Sequence, residues 1–153
     1  MSDRGIELRR ADRNDAADIV RVCKAARAGM LYLPVLHTAE EDWAYFSNLV
    51  AGGCCWIARD SGVTVGFMDV RDGWVNHLYI APHAQKMGID KALLDQAKAI
   101  THTALHLWVF EDNSDAIRFY EREGFMLEEQ RDIHAAINEE NLPDRRYVWL
   151  PTA

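Results

Sequence analysis

The chain predicts an α/β (α+β) fold in which about four helices flank a mixed, mostly antiparallel central sheet of about seven strands. Three observations carry that reading. Segments with strand-like alternation and segments with helical spacing follow one another in the order β, α, α, three β, α, β, α, β and β. Asp60-Ser61-Gly62 and Asp72-Gly73 supply turn chemistry between the three central strands, which makes them successive hairpins. Apolar residues make up 49% of the 153 residues, enough for a core and too many for a disordered chain. Residues 1–153 are expected to form a single domain, without an internal repeat, linker or low-complexity tract.

Ile6 to Arg10 alternates apolar and charged residues and reads as a strand. Asp12 to Asp15 offers helix-start chemistry. Ala16, Ile19, Val20, Cys23 and Ala26 then recur at helical spacing to about Ala28, before Gly29. Met30 to His37 is irregular and contains Pro34. Thr38-Ala39-Glu40-Glu41 spells a capping box for a helix that carries Trp43, Tyr45, Phe46 and Leu49 and ends near Gly52-Gly53. Cys54 to Arg59, Val63 to Val70 and Trp74 to Ile80 are the three hairpin strands. Ile89, Ala92, Leu93, Ala97 and Ile100 trace one face of the next helix, and Leu105 to Phe110 is a strand. Asn113 to Glu123 is a helix closed by Gly124, and Phe125 to Arg131 is a strand. Residues 133–145 are polar, with a turn expected at Pro143-Asp144, and Arg146 to Leu150 is the closing strand.

The formal charge of −7 disfavours a nucleic-acid partner. Cys23, Cys54 and Cys55 form no C-x-x-C pair, so neither a zinc knuckle nor a redox motif is supported; packed, reduced thiols are expected. No ligand cluster points to a metal. Met-Ser-Asp-Arg is not followed by an apolar signal core, and no apolar run is long enough to span a membrane, so a cytoplasmic protein is expected. A Gly-x-Gly-x-x-Gly after the first strand and a P-loop are both missing, which argues against nucleotide chemistry.

One stretch, Leu78 to Leu94, stands out. It begins as a strand, breaks at Pro82, crosses a polar loop and enters a helix near Gly88. Gly88 admits a ligand close to its backbone, and the helix behind it offers free N–H groups and the positive end of its dipole. Such a junction suits a phosphate.

Gln85-Lys86-Met87-Gly88-Ile89-Asp90 resembles the Gln/Arg-x-x-Gly-x-Gly/Ala loop of the GNAT family of acyl-CoA-dependent N-acyltransferases. Asn113, Ala116, Phe119, Tyr120, Gly124 and Phe125 stand as Asn-x-x-Ala-x-x-Phe-Tyr-x-x-x-Gly-Phe, which looks like the second GNAT signature. Both fall in the family's order, and the likeness runs from the Ile6 strand to the Arg146 strand. Leu33 to Glu41, His77-Leu78-Tyr79 and Leu142 to Trp149 look similar to small single-domain bacterial GNAT proteins whose acceptor is unknown.

The resemblance implies an N-acetyltransferase that moves an acetyl group from acetyl-CoA, a co-substrate, directly to a primary amine of a small molecule or a protein. It implies that Leu78, Tyr79 and Ile80 border pantetheine, with backbone groups of Leu78 and Ile80 facing it. Gln85, Lys86, Met87, Gly88, Ile89, Asp90 and Lys91 would hold the pyrophosphate. Asn113 and Ala116 would touch the pantetheine arm; Asn113 also reads as a helix N-cap. Tyr120 would protonate the departing thiolate, or be a buried helix tyrosine. His77 is the first candidate for a general base because it titrates near neutrality, although strand alternation leaves it the choice of packing under a helix. His37 and Glu41, the runners-up for the base, and Trp74 are assigned to the acceptor wall, and Glu139, Glu140 and Asp144 to a loop able to attract a cation. Asp90 departs from the family's Gly/Ala and would repel a phosphate, offset by Lys86 and Lys91. It leaves open a non-catalytic GNAT fold that senses acyl-CoA or binds a partner. Five tryptophans and an exposed closing strand permit a homodimer.

Overall fold

The computed structural model describes residues 5–30, 36–131, 138, 140 and 142–151. It contains strands β1 (Ile6–Arg10), β2 (Cys55–Asp60), β3 (Val63–Arg71), β4 (Trp74–Ile80), β5 (Leu105–Phe110), β6 (Met126–Arg131) and β7 (Asp144–Trp149). Its helices are α1 (Ala16–Ala28), α2 (Ala39–Ala51), α3 (Ile89–Ile100) and α4 (Ser114–Arg122). The strands form a single sheet in the order β1-β2-β3-β4-β5-β7-β6. All neighbours are antiparallel except β4 and β5. This is the mixed, mostly antiparallel sheet with flanking helices that the sequence predicts.

Side chains cap the starts of α2 and α4 and of the short turn that leads into α1. Asp12 caps a 3-10 turn at Arg13–Asp15 that leads into α1, with Asp15 bonding back to complete a capping box. Arg9 of β1 grips the Asp15 carboxylate with both ends of its guanidinium, at 2.9 and 3.0 Å. Thr38 and Glu41 form the second capping box, at the start of α2. Asn113 caps α4. No N-cap side chain closes α3, whose N-cap is Gly88.

Two apolar layers sandwich the sheet. Ile19 and Cys23 of α1 and Phe46 and Val50 of α2 pack with Cys55, Ile57 and Phe67. On the other face Leu93, Leu94 and Ala97 of α3 and Ile117, Phe119 and Tyr120 of α4 pack with Met68, Ile80, Leu105 and Leu107. α3 lies very close to the sheet because Gly66 has no side chain: a Cβ there would stand 3.0 Å from Ile80 and 3.2 Å from both Ile89 and Leu93. Among the described residues no helix is long and apolar enough to cross a membrane.

Three expectations change. The closing strand is not exposed: β7 lies between β5 and β6, and Tyr147 is fully buried. β6 takes the edge instead, with Met126 57% exposed and Leu127 49% exposed. The homodimer expectation therefore loses one of its two features, the exposed closing strand. Asp144 does not turn the chain but opens β7, because its buried carboxylate is gripped by Arg131 at 2.6 and 2.8 Å. Part of the irregular run before α2, including Pro34, and most of the polar run before β7 lie outside the described residues.

Candidate active site

The site begins with an irregularity in β4. Pairing with β3 shifts between Asp69 and Val70: Asp69 faces His77 and Val70 faces Val75, so Asn76 is one residue too many. Such a bulge bends the strand and re-aims its side chains. Val75 and Leu78, three positions apart, consequently pack against the same core beneath α3. β4 then departs from β5. The two pair only at Trp74 and His106, where the His106 N–H donates to the Gly73 carbonyl at 2.7 Å. Beyond that point a cleft of about 110 Å³ opens between them. Asn76, Leu78 and Tyr79 line it from β4, Val109 from β5, and Asn113, Ala116 and Tyr120 from the start and body of α4.

Backbone groups of β4 face this cleft. The Ala81 N–H donates to Val65 at 2.8 Å, toward β3. Residues alternate along an antiparallel ladder, so Leu78 and Ile80 turn their N–H and C=O groups the other way, to the side on which the cleft opens. The Gln85 side chain confirms the direction by donating to the Ile80 carbonyl at 3.1 Å. Gln85 thus ties the loop to the end of β4.

The loop itself is built for an anion. Lys86 and Gly88 take left-handed backbone, with φ of 64° and 82°. A left-handed residue set directly before a helix, as Gly88 is before α3, turns successive N–H groups to one side in a way that suits an anion. Nothing lies within 4 Å of the place a Gly88 Cβ would occupy, so a ligand has room to reach the backbone. Asp90 turns back on its own helix, its carboxylate accepting the Lys91 N–H at 2.8 Å. The Lys91 ammonium is engaged by Asp95 at 3.1 Å and Glu123 at 3.2 Å. Its ion pairs are thus with residues of α3 and of the end of α4, and not with Asp90. Lys86 is exposed.

Tyr120 reaches the cleft from α4, packed edge-on against Phe125 with ring centroids 5.6 Å apart. Burial pushes its pKa up, reinforced by Tyr79 and the Asp90 charge, so the phenol holds its proton at neutral pH. Asn113 spends its side-chain oxygen on the Ala116 N–H at 3.2 Å, which leaves its amide NH₂ for a ligand.

Residues 51–127 match the Acetyltransferase (GNAT) domain family. The chain belongs to the GNAT acetyltransferase family. It is 34% identical over 73 residues to the peptidyl-lysine N-acetyltransferase YiaC of Escherichia coli, a match that covers 47% of this chain and 49% of that protein. It is 34% identical over 109 residues to the mycothiol acetyltransferase of Propionibacterium freudenreichii, covering 70% of this chain and 32% of that protein. The chain thus matches half or less of the length of these curated relatives. Its fold resembles that of yncA from Salmonella typhimurium, a putative acetyltransferase solved with acetyl-CoA. The TM-score is 0.74 at 17% identity, over 97% of this chain and 95% of that one.

Within this GNAT chain Leu78, Tyr79, Asn113, Ala116 and Tyr120 meet at the cleft, whereas Ile80 and residues 85–91 are not part of its lining. His77 departs from the role first considered for it. Its ring packs near Phe46, Phe67 and Tyr45 on the α2 side, and its Nε2 lies 2.8 Å from the Tyr45 hydroxyl. Burial lowers its pKa to about 4, against the pull of Asp69 and with the help of Arg27. His77 is among the residues that line the cleft, but its ring is turned to Tyr45 and Phe46 of α2, and so weak a base is poorly suited to take the amine's proton. Glu41 is spent on the Thr38 capping box, and His37 is exposed beside it. Trp74 stacks on His106 at the closed end of the cleft, with centroids 5.0 Å apart. None of His37, Glu41 and Trp74 lines the cleft.

Of the acidic residues expected to attract a cation, Glu140 pairs with Arg27 at 3.2 Å and Asp144 with Arg131. Glu139 lies outside the described residues. Sequence reasoning passed over Asn76, Arg27, Trp108 and Phe110. Arg27 donates to the Tyr79 hydroxyl at 3.2 Å, and Trp108 and Phe110 line both the cleft and an adjoining hollow of about 320 Å³ that Arg131 and Asp144 close. Trp108 and Phe110 carried a signal, as alternate aromatics on a strand with Leu107 and Val109 between them. Asn76 and Arg27 carried none.

Proposed function

We propose that this chain transfers the acetyl group of acetyl-CoA directly to a primary amine. One observation carries the reading: a buried, protonated tyrosine stands in a cleft edged by Leu78 of β4, and that strand leads on through Ile80, tied to Gln85, to a helix N-terminus suited to an anion. Pyrophosphate fits the loop of Lys86 to Gly88, pantetheine fits the cleft, and acetyl-CoA would supply the thioester there. A backbone N–H of β4 polarises the carbonyl that the amine attacks. As the C–N bond forms and the C–S bond breaks, the amine gives its proton to solvent. Tyr120 gives its own to the departing sulfur and recovers one from water. No side chain is assigned as base. The acceptor is a primary amine of a small molecule or a protein. The two curated relatives carry different acceptors in their names, and neither name decides between them here.

Calorimetry with acetyl-CoA, followed by release of free CoA in the presence of amines, tests this. Micromolar binding and amine-dependent release are expected. A second reading, an acyl-CoA-sensing or partner-binding GNAT domain without catalysis, is favoured by Asp90 standing in the first turn of α3 while Lys91 is engaged elsewhere. Binding without release under any amine would select it.

A further inference from the structure

The bulge that opens the cleft also presents a side chain that the transferase reading leaves unused. Asn76 is the extra residue, it is exposed, and it lines the cleft. Its amide nitrogen donates to Asp69 at 2.9 Å. Asp69 is fully buried in β3, opposite Cys55, on the face that packs beneath α1 and α2. Its other oxygen accepts from Arg71 at 3.3 Å and from the Cys55 thiol at 3.4 Å. Arg71 is in turn anchored on the Leu49 carbonyl near the end of α2. A carboxylate offers no donor, so the Asn76 amide cannot turn over: its NH₂ stays inward and its oxygen stays outward. Tyr120 belongs to the opposite layer, with α3 and α4. Asn76 and Tyr120 thus line one cleft from opposite faces of the sheet.

We propose that Asn76 receives the incoming amine, its side-chain oxygen accepting an N–H of the nucleophile, and that Asp69 is the positioning residue that turns this oxygen outward. The inference rests on the transferase reading. Holding one N–H of a neutral amine directs the nitrogen lone pair at the carbonyl carbon, a contribution to orientation. It also favours amines that keep an N–H to donate while they attack.

The test uses the full chain with excess n-butylamine as the acceptor probe, release of free CoA as the readout, and acetyl-CoA affinity by calorimetry alongside. Asn76→Ala, at an exposed position, is expected to lower kcat/KM for the amine about tenfold while leaving the acetyl-CoA dissociation constant within about twofold of wild type. Asp69→Asn preserves shape but reverses polarity. Arg71 keeps the new amide's oxygen, so its NH₂ faces Asn76, and Asn76 must turn over to accept it. The same loss is expected, and the double variant should lose no more than either single one, as a shared interaction requires. Unchanged amine kinetics in Asn76→Ala overturns the proposal. So does an equal weakening of acetyl-CoA binding, which would mean that the pair only props the cleft open. Additive losses overturn the positioning role of Asp69. A wild-type chain that binds acetyl-CoA but releases no CoA with the amine removes the transferase reading itself, and the inference with it.

Discussion

Tyr120 is the residue on which the proposed chemistry turns. Its phenol is buried, protonated and in the cleft, which suits a donor and not a base. Tyr120→Phe should lower kcat by about 10²–10⁴-fold, the range for a lost general acid, while acetyl-CoA binds as before. Rapid-mix CoA release beside calorimetry separates the two effects; weakened binding with intact turnover would remove Tyr120 from the chemistry. His77 gives a different test. Its folded pKa of about 4 lies below its ordinary value of 6.5, so the unfolded chain takes up the proton first. Stability is fully present above 6.5 and is lost as pH falls toward 4, on the order of 3 kcal/mol. Denaturant melts of wild type and His77→Gln between pH 7 and 4 should show the wild type losing more; parallel curves would mean that His77 titrates normally. Tyr120, Asn113 and Gly88 were legible in the sequence because short local spelling marks them. His77 was half legible, since alternation with Leu78 and Ile80 offered the packing under a helix that it takes; Asn76 was not, because only the β3 pairing reveals it as the bulged residue.

At the scale of elements, α3 does two things at once. Its body fills the sheet face over Gly66, and its N-terminus forms the floor of the loop. Gly66→Ala pushes a methyl against Ile80, Ile89 and Leu93 and should cost about 1–3 kcal/mol by overpacking, read as a lowered denaturation midpoint. An unchanged midpoint would mean that α3 shifts freely, and the loop with it. Asp90 is the element's one discordant charge. It favours the isolated helix but opposes a phosphate beside it. Asp90→Asn should tighten acetyl-CoA binding roughly fivefold, for a surface repulsion of about 1 kcal/mol, and the gain should shrink with added salt. Equal affinities would show that its carboxylate, turned onto the Lys91 N–H, is already out of the way. The capping boxes at Asp12 and Thr38 were readable in advance because both partners lie within one turn.

At the scale of the molecule, the sheet has two halves. β1 to β4 lie side by side in chain order, and the β2–β3 and β3–β4 hairpins were predictable from their turn residues. β5, β7 and β6 do not: β7 inserts between strands that precede it, a long-range choice that no local pattern announces. The cleft proposed as the site lies at the seam, where the parallel strands β4 and β5 separate after the Trp74–His106 pair. The acidic surface implied by a charge of −7 is likewise a property of the whole chain. Glu140 and Asp144 contribute little to it locally because Arg27 and Arg131 hold them. The most direct test of the account is a calorimetric titration of the wild-type chain with acetyl-CoA. One-to-one binding in the micromolar range, abolished by prior saturation with CoA, is the predicted result. An absence of binding by the wild type and by Asp90→Asn alike would contradict the assignment of the seam as an acetyl-CoA site.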